Sequence, residues 1–238
     1  KNYIRGAGTI EDWGFEISRG QNLQVSAIGN SIYSKQKKEK FYTLVRPTNL
    51  SDFGTVIKYE YLGNSRELAP ISEGDIIFSA EGSVGKCMMF SNPRERTLTN
   101  IHGIVLNKKD HNKIESAFVC CFLRYLRNLG ILDHISVGGQ GGSLAMKYWK
   151  EIKIPFFSEE KQKEIAGYYY NPINDYRVED ESFEQIEKRD LQLNEAVGIL
   201  QLDEQVKLLK EKTQTIVDTI INGKDVTIDF SFIDSFRS

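Results

Sequence analysis

The strongest constraint on this chain is a long stretch near its end in which apolar residues recur at heptad spacing. Residues 183–221 contain no proline and a single glycine, Gly198. From Leu202 onward the apolar positions alternate in steps of four and three residues, with Thr213 filling one position. This spacing is typical of a helix whose apolar stripe is covered by another helix. We therefore predict a long helix over 183–221, ended by Asn222–Gly223.

The apolar stripe and its upstream continuation are expected to form contacts between helices. The positions are Leu193, Val197, Leu200, Leu202, Val206, Leu209, Ile216 and Ile220. The register shifts near residues 200–202, so a break in the pattern is expected there. The helix either folds back on its own domain or, as we favour, pairs with a second copy of the chain or a partner subunit.

The preceding residues show short strand patterns separated by turn-forming residues. Residues 75–79 and 86–90 are predicted strands joined by a turn at 81–85, and residues 101–106 are predicted to form another strand. The spacing then becomes helical from Asn112 to Leu129. We predict a mixed α/β (α+β) globular domain over residues 1–170, followed over 171–238 by a linker and a coiled-coil-type helix.

The remaining elements of the globular domain are predicted from capping residues and breakers. Asn112 and Glu115 resemble a capping box, and Gly130 lies where a C-terminal glycine is expected. The further predictions are a strand over 131–137, a short helix capped by Ser143 and running to Trp149, a strand over 152–155, and a helix that Ser158 caps and Asn171–Pro172 ends.

Charge is distributed unevenly along the chain. Residues 1–153 contain 21 Lys and Arg against 15 Asp and Glu, whereas residues 154–238 contain 10 against 18. A basic globular part can meet phosphate groups, and an acidic segment after it indicates a different partner. The other interpretation of the acidic segment is the solvated face of a helix.

The sequence contains no catalytic or metal-binding pattern. Cys87, Cys120 and Cys121 form no Cys-x-x-Cys pair, and none of the three histidines is spaced with a cysteine as a zinc site requires. Residues 82–86 have the wrong glycine spacing for a phosphate-binding loop. No apolar run is long enough to span a membrane, and residues 1–20 contain no apolar core of a secretion signal. We therefore expect a cytoplasmic, non-catalytic protein without a bound cofactor or metal.

Several side chains are candidates for contact with DNA. Lys35, Lys37, Lys38 and Lys40 lie beside the aromatic residues Tyr33, Phe41 and Tyr42, a combination that can grip phosphates and stack on bases. The other candidates are Ser83, Arg94, Arg96, Gln140 and Ser143. The basic groups would hold phosphates, and Gln140 or an arginine would contact base edges. For the lysine segment, ordinary solvated surface remains the alternative, and for Gln140 a turn without contacts.

The order of these segments resembles the specificity subunits of type I restriction-modification systems. Residues 73–79 and 82–86 resemble the family's "GDILxSxxGxxGK" stretch, and residues 152–165 resemble its "IPxPxxxEQxxIA" ending. The heptad stretch after them resembles the family's spacer helix. The resemblance covers about residues 17–221.

This resemblance implies a target recognition domain that contacts one half of a bipartite DNA site. It also implies a helix that sets the distance to a second recognition domain and docks a methyltransferase subunit. That partner would use S-adenosylmethionine to methylate adenine, and a restriction subunit belongs to the same systems. The matched motifs would be scaffold and not base contacts.

The chain departs from the family pattern because it has one recognition domain and one spacer helix where a full subunit has two. It is either a half subunit that pairs with a second copy, or the specificity domain of a longer polypeptide such as a fused restriction-methyltransferase. Two other functions remain open: a protein-interaction module that uses the coiled coil, and an enzyme with an unrecognised site.

Overall fold

The computed structural model describes residues 7–91, 96–138, 141–171 and 197–227, without the side chains of residues 141 and 142. The chain divides into two compact units, residues 1–163 and 164–238. The domain boundary that we place at residue 170 stays a prediction. No helix within the described ranges is long and apolar enough to cross a membrane.

The elements follow one another as short strands with a few helices. The strands are β1 (Ala7–Gly8), β2 (Phe15–Arg19), β3 (Ser31–Ser34), β4 (Tyr42–Leu44), β5 (Glu60–Asn64), β6 (Ile76–Ser79), β7 (Glu81–Gly82), β8 (Cys87–Met89), β9 (Thr97–Leu98), β10 (Gly103–Lys108), β11 (Gly141–Ser143) and β12 (Ile154–Pro155). The helices are α1 (Val25–Ile28), α2 (Lys113–Asn128), α3 (Ile131–His134), α4 (Glu159–Gly167) and α5 (Ile199–Ile221), with 3-10 helices at Pro47–Asn49 and Met146–Glu151. The predicted mixed α/β class with a long helix after it is confirmed.

Two four-stranded sheets form the framework of the first unit. One has the strand order β2-β10-β6-β8 and is antiparallel throughout. The other has the order β3-β5-β4-β9, in which β4 and β9 run parallel. The predicted hairpin of residues 75–90 is confirmed, because Ile76 pairs with Met89 and Phe78 with Cys87. The strand predicted over 101–106 is found slightly later, as β10.

Each sheet covers its own group of buried apolar side chains. Beside the first sheet, Phe78 contacts the ring of Trp149 edge-on at 4.8 Å, and α2 packs against β8. The second sheet covers a separate cluster of Ile28, Tyr42, Leu44, Leu62, Leu68 and Leu98. Burying apolar area in this way is the main force that stabilises each sheet.

Lys108 is the last residue of β10, and its ammonium group forms hydrogen bonds with residues outside this strand. The Lys108 side chain is only 2% exposed, and its Nζ donates to the Trp13 carbonyl oxygen at 2.8 Å and to Glu115 Oε2 at 2.6 Å. The backbone N–H of Lys108 donates to the carboxylate of Asp75 at 2.9 Å. A buried ammonium requires such partners because its desolvation is costly. The sequence alone suggests a surface lysine here, and the structure buries it.

Helix α2 begins as the capping pattern predicts, but Glu115, the second residue of the predicted capping box, binds a different partner. The Asn112 side chain accepts hydrogen bonds from the N–H groups of Ile114 and Glu115, both at 3.2 Å. Glu115 does not reach back to Asn112, because its carboxylate binds the Lys108 ammonium. Gly130 adopts a φ of 69° after the helix, as expected of a C-terminal glycine.

Three local predictions for residues 131–172 are wrong. The strand expected over 131–137 is mostly helical, because after Gly130 the chain forms α3, which buries Leu132 and packs against α2. Ser143 caps no helix: it lies in β11, and the 3-10 helix begins after Ala145 without a side-chain cap. Helix α4 ends at Gly167, before Asn171–Pro172. Its start is as predicted, with the Lys161 N–H directed at Ser158 Oγ at 3.4 Å.

In the second unit the long helix begins later than the sequence indicates. Gly198 is extended, with φ −74° and ψ 156°, so the helix does not continue through it. A Cβ atom at Gly198 would lie 2.5 Å from the Tyr169 carbonyl oxygen, so there is no room for a side chain at this position. The carbonyl groups of Tyr168 and Tyr169 accept from the N–H groups of Ile199 and Leu200 and so cap α5. Residues 183–196 lie outside the described residues, and the predicted stop at Asn222–Gly223 is confirmed.

We predict that Lys108→Met lowers the free energy of unfolding by about 2–3 kcal/mol. Methionine keeps most of the aliphatic volume, but the Trp13 carbonyl and Glu115 lose their donor. The matched control is Lys109→Met, because Lys109 makes an exposed ion pair with Glu16 at 3.0 Å. That change should cost less than about 1 kcal/mol. Urea unfolding of both variants measures the difference, and equal losses would contradict the role given to Lys108.

Candidate nucleic-acid interface

Lys37, Lys38, Lys40 and Arg96 line the same surface concavity, whereas Lys35 is not among the residues that line it. It has a volume of about 460 Å³ and is lined by residues 37–41, Thr43 and Arg96. The structure thus brings together two sets of candidates that are more than fifty residues apart in the sequence. Three lysines and an arginine surround one carboxylate, that of Glu39, so the concavity has an excess of positive charge.

A turn between β3 and β4 presents the lysines. Lys35, Lys37, Lys38 and Lys40 are all exposed. The Phe41 N–H donates to the Lys38 carbonyl oxygen at 3.2 Å, and Lys40 adopts a φ of 64°, which is unusual for a residue other than glycine. The Lys38 ammonium lies 5.7 Å from the centre of the Phe41 ring. The turn therefore holds charged groups around one aromatic side chain.

Phe41 is itself positioned by a glycine on the neighbouring strand. A Cβ atom at Gly63 of β5 would lie 2.5 Å from the Phe41 ring, so the ring packs directly on the strand backbone. Sequence analysis missed this contact because the two residues are distant in the chain. A glycine within a strand is the signal that another group approaches closely.

Arg96 is exposed but firmly positioned. Its carbonyl oxygen accepts a hydrogen bond from the Thr43 N–H at 2.9 Å, as part of the parallel pairing of β4 and β9. Its guanidinium lies 4.1 Å from the centre of the Tyr42 ring, and its Nη2 donates to the Tyr42 hydroxyl oxygen. The same oxygen accepts from the Leu68 N–H at 2.8 Å. Sequence analysis named Tyr42 only as a neighbouring aromatic and missed its role in holding Arg96.

Ser83 and Ser143 belong to segments joined by the pairing of β7 and β11: Ser83 follows β7, and Ser143 ends β11. Gly141 pairs with Gly82, and Ser143 pairs with Glu81. The charges here are mixed, because Glu81 binds His102 Nδ1 at 2.7 Å and lies 3.8 Å from Arg19. These serines thus adjoin the first sheet, whereas the basic concavity belongs to the second. Glycines in both paired segments were the sequence signal for this pairing, because they permit close backbone approach.

Two candidates, Arg94 and Gln140, lie outside the described residues. The assignment of any candidate to a DNA contact stays a prediction.

Several ionisable groups in the first unit have pKa values that are shifted by burial or by a neighbouring charge. A hydrogen bond from Arg46 lowers the pKa of Glu60, and burial raises the pKa of Asp75. Burial also raises the pKa of the Cys87 thiol, and it raises the pKa of Cys121 to about 12. Neutral, buried thiols of this kind are poor nucleophiles. Within the described ranges, no three His, Cys, Asp or Glu side chains are grouped so as to hold a metal ion.

The apolar stripe of α5 is largely exposed in the second unit. Val206 is 65% exposed, Leu209 55%, Ile220 59% and Leu202 39%, and Ile216 is half-buried. Leu200 is 3% exposed, so it serves the packing of the chain itself, and the exposed stripe starts at Leu202. Val197 is half-buried ahead of the helix, and Leu193 lies outside the described residues.

Together these features define a mixed α/β domain with a basic, aromatic-lined concavity, followed by a helix with an open apolar stripe. Residues 23–188 match the family described as type I restriction modification DNA specificity domain. The chain therefore belongs to this family, as the sequence motifs indicated.

Two solved structures are distantly similar to this chain. The chain is similar to the S subunit of the type I restriction-modification system from M. genitalium, with 18% identity and a TM-score of 0.46 over 70% of this chain and 38% of that one. It is also similar to the HsdS subunit from Thermoanaerobacter tengcongensis, with 16% identity and a TM-score of 0.48 over 92% of this chain and 45% of that one. The chain thus spans less than half the length of either subunit. A search of curated protein sequences found no match.

We predict that the glycines of the "GxxGK" motif act as scaffold and differ in their tolerance to substitution. Gly85 has a φ of 90°, and a Cβ atom there would lie 2.6 Å from Leu132 Cδ1, so Gly85→Ala should cost about 2–4 kcal/mol. Gly82 has a φ of 72° but open space around it, so Gly82→Ala should cost only about 1–2 kcal/mol of backbone strain. Thermal unfolding of both variants provides the test. A larger destabilisation at Gly82 would contradict the packing role of Gly85.

Proposed function

We propose that this chain recognises a specific double-stranded DNA sequence for a type I restriction-modification system. It is not itself catalytic, and it directs a partner adenine methyltransferase, and with it a restriction subunit, to the site. The observation that carries the proposal is the basic concavity of Lys37, Lys38, Lys40 and Arg96 in a chain of the specificity-domain family. The methyl donor, S-adenosylmethionine, belongs to the methyltransferase.

The side chains of the concavity suit the two parts of DNA recognition. Exposed ammonium groups on a turn can follow the phosphate backbone, which supplies affinity without sequence information. An aromatic ring among them, Phe41, offers a surface for sugar or base. Sequence information has to come from side chains with fixed geometry. The protein is expected to act in the cytoplasm, together with its DNA.

The decisive experiment selects bound DNA from a pool of random duplexes at moderate salt. The purified chain is used in complex with the methyltransferase subunit of its own system, and the methyltransferase alone is the control. An enriched motif that contains adenine is the expected result. No enrichment, together with no binding at low salt, would overturn the proposal.

We predict that reversing charge at Lys37 and Lys38 to glutamate weakens binding to all duplexes to a similar degree. The slope of log K, where K is the binding constant, against log salt concentration should become shallower by roughly 0.9 for each phosphate that the variant no longer neutralises. Lys109→Glu is the matched control, because Lys109 is an exposed lysine engaged with Glu16 and outside the concavity. Fluorescence anisotropy with a labelled duplex at several salt concentrations measures both quantities. An unchanged slope would show that the concavity does not bind phosphates.

For the second unit, we propose that α5 pairs with the spacer helix of a second recognition domain. That helix comes from a second copy of the chain or from another part of a longer polypeptide. The support is the exposed stripe of Leu202, Val206, Leu209 and Ile220, because a sequence rarely keeps heptad-spaced apolar residues on a face that nothing covers. The acidic charge of residues 154–238 makes DNA an unsuitable partner for this segment.

We predict that Val206→Glu combined with Leu209→Glu prevents this pairing, because each buried carboxylate would lack a partner. The control is Glu211→Lys, which changes charge on the opposite side of the helix. Sedimentation velocity of the complex with the methyltransferase should show a smaller assembly only for the double variant. An unchanged sedimentation coefficient for that variant would contradict the pairing.

A further inference from the structure

Within the basic concavity, Arg96 is held by contacts with a buried aromatic side chain. The lysines are exposed on a turn, and their charges end flexible four-carbon chains. Arg96 is fixed by its backbone bond to Thr43 and by its contacts with Tyr42. Tyr42 cannot move easily, since it is 2% exposed and belongs to the buried cluster beneath the second sheet.

The guanidinium of Arg96 has N–H donors beyond the one that binds Tyr42. Arginine has five N–H donors, arranged in a planar fork. Among the residues that the structure describes, Tyr42 is the one side chain that accepts a hydrogen bond from Arg96. Arg96 lines the concavity together with Lys37, Lys38 and Lys40, so the side chain that carries these donors borders the space where DNA would bind.

Resting on the proposed function, we propose that Arg96 determines specificity by contacting the major-groove edge of a guanine, and that Tyr42 positions it. A phosphate tolerates a mobile cation, whereas the O6 and N7 atoms of guanine require two donors in a defined plane. The hydrogen bond to the Tyr42 hydroxyl and the contact with its ring together hold the guanidinium before DNA arrives, which reduces the entropy cost of binding. The neighbouring lysines bind the backbone phosphates and so place the major groove of the DNA against the guanidinium of Arg96.

This assignment differs from a purely structural role for Arg96. A structural arginine would matter for folding, and its removal would weaken binding to every duplex equally. A guanine-contacting arginine matters at one base pair of the recognised motif. The measured quantity is therefore the preference at each position of the motif, and not affinity alone.

The variant that separates these roles is Arg96→Lys. Lysine keeps the positive charge and can still attract a phosphate, but it lacks the planar fork. In selection from random duplexes, with the methyltransferase complex as before, the wild type should enrich a motif with a preferred G·C pair. For Arg96→Lys, the preference at that pair should fall by about 5- to 150-fold while the other positions are unchanged. The salt dependence of binding should stay the same, because the charge is kept.

Two further variants complete the experiment. Lys38→Ala should weaken binding to all duplexes and leave the motif intact. Tyr42→Phe keeps the ring but removes the hydroxyl that Arg96 and Leu68 use, and it should relax the same G·C preference as Arg96→Lys. Thermal unfolding of each variant shows that it is folded at the temperature of the binding assay.

The outcomes separate this inference from the proposed function. If the wild-type complex enriches no motif, the proposed function fails and the inference fails with it. If the wild type enriches a motif and Arg96→Lys enriches the same motif at every position, the proposed function stands and the inference is overturned. A relaxed preference at one G·C pair in both Arg96→Lys and Tyr42→Phe is the expected result.

Discussion

The buried ammonium of Lys108 is the interaction on which the first unit depends most. It lies at the end of β10, the strand that pairs with both β2 and β6, and it meets the Trp13 carbonyl on one side and Glu115 of α2 on the other. The same residue donates its backbone N–H to Asp75, directly before β6. Three segments of the chain thus meet at one residue: two of them bind its ammonium, which needs such partners when it is buried, and the third binds its backbone N–H. The hydrogen bonds of Lys108 thus connect α2 to the first sheet and to Asp75, where the hairpin of residues 75–90 begins.

The basic concavity depends on the other sheet. Parallel pairing of β4 with β9 places Thr43 beside Thr97, and so brings Arg96 to the end of the lysine turn. The buried Tyr42 then connects the hydrophobic cluster to the surface, because its ring packs inside and its hydroxyl reaches Arg96. The buried Tyr42 side chain thereby restrains the exposed guanidinium of Arg96. A cation held in this way fits a base contact, whereas exposed ammonium groups on flexible side chains fit phosphate contacts.

Local signals predicted the elements that are stabilised by neighbours in sequence. The cap at Asn112, the glycine after α2, the hairpin of residues 75–90 and the stop of α5 were all predicted from short patterns. The errors fall where distant contacts decide the conformation. Residues 131–134 form a helix whose buried Leu132 lies against Gly85, Ser143 pairs with Glu81 in a strand, and Gly198 is extended where it lies close to Tyr169. For the site, the residue types were predicted from composition, but the grouping of Arg96 with the lysines was not.

The sequence by itself determined the family, the basic character of the first part, and the heptad stripe of the helix. These properties belong to residue order and spacing, which need no coordinates. Only the tertiary structure decided that Lys108 is buried while Lys109 is exposed, and that Tyr42 holds Arg96 beside Lys38. The physical reason is that burial and pairing depend on which strands become neighbours. Strand pairing between distant segments is set by the packing of the whole unit, and no local pattern encodes it.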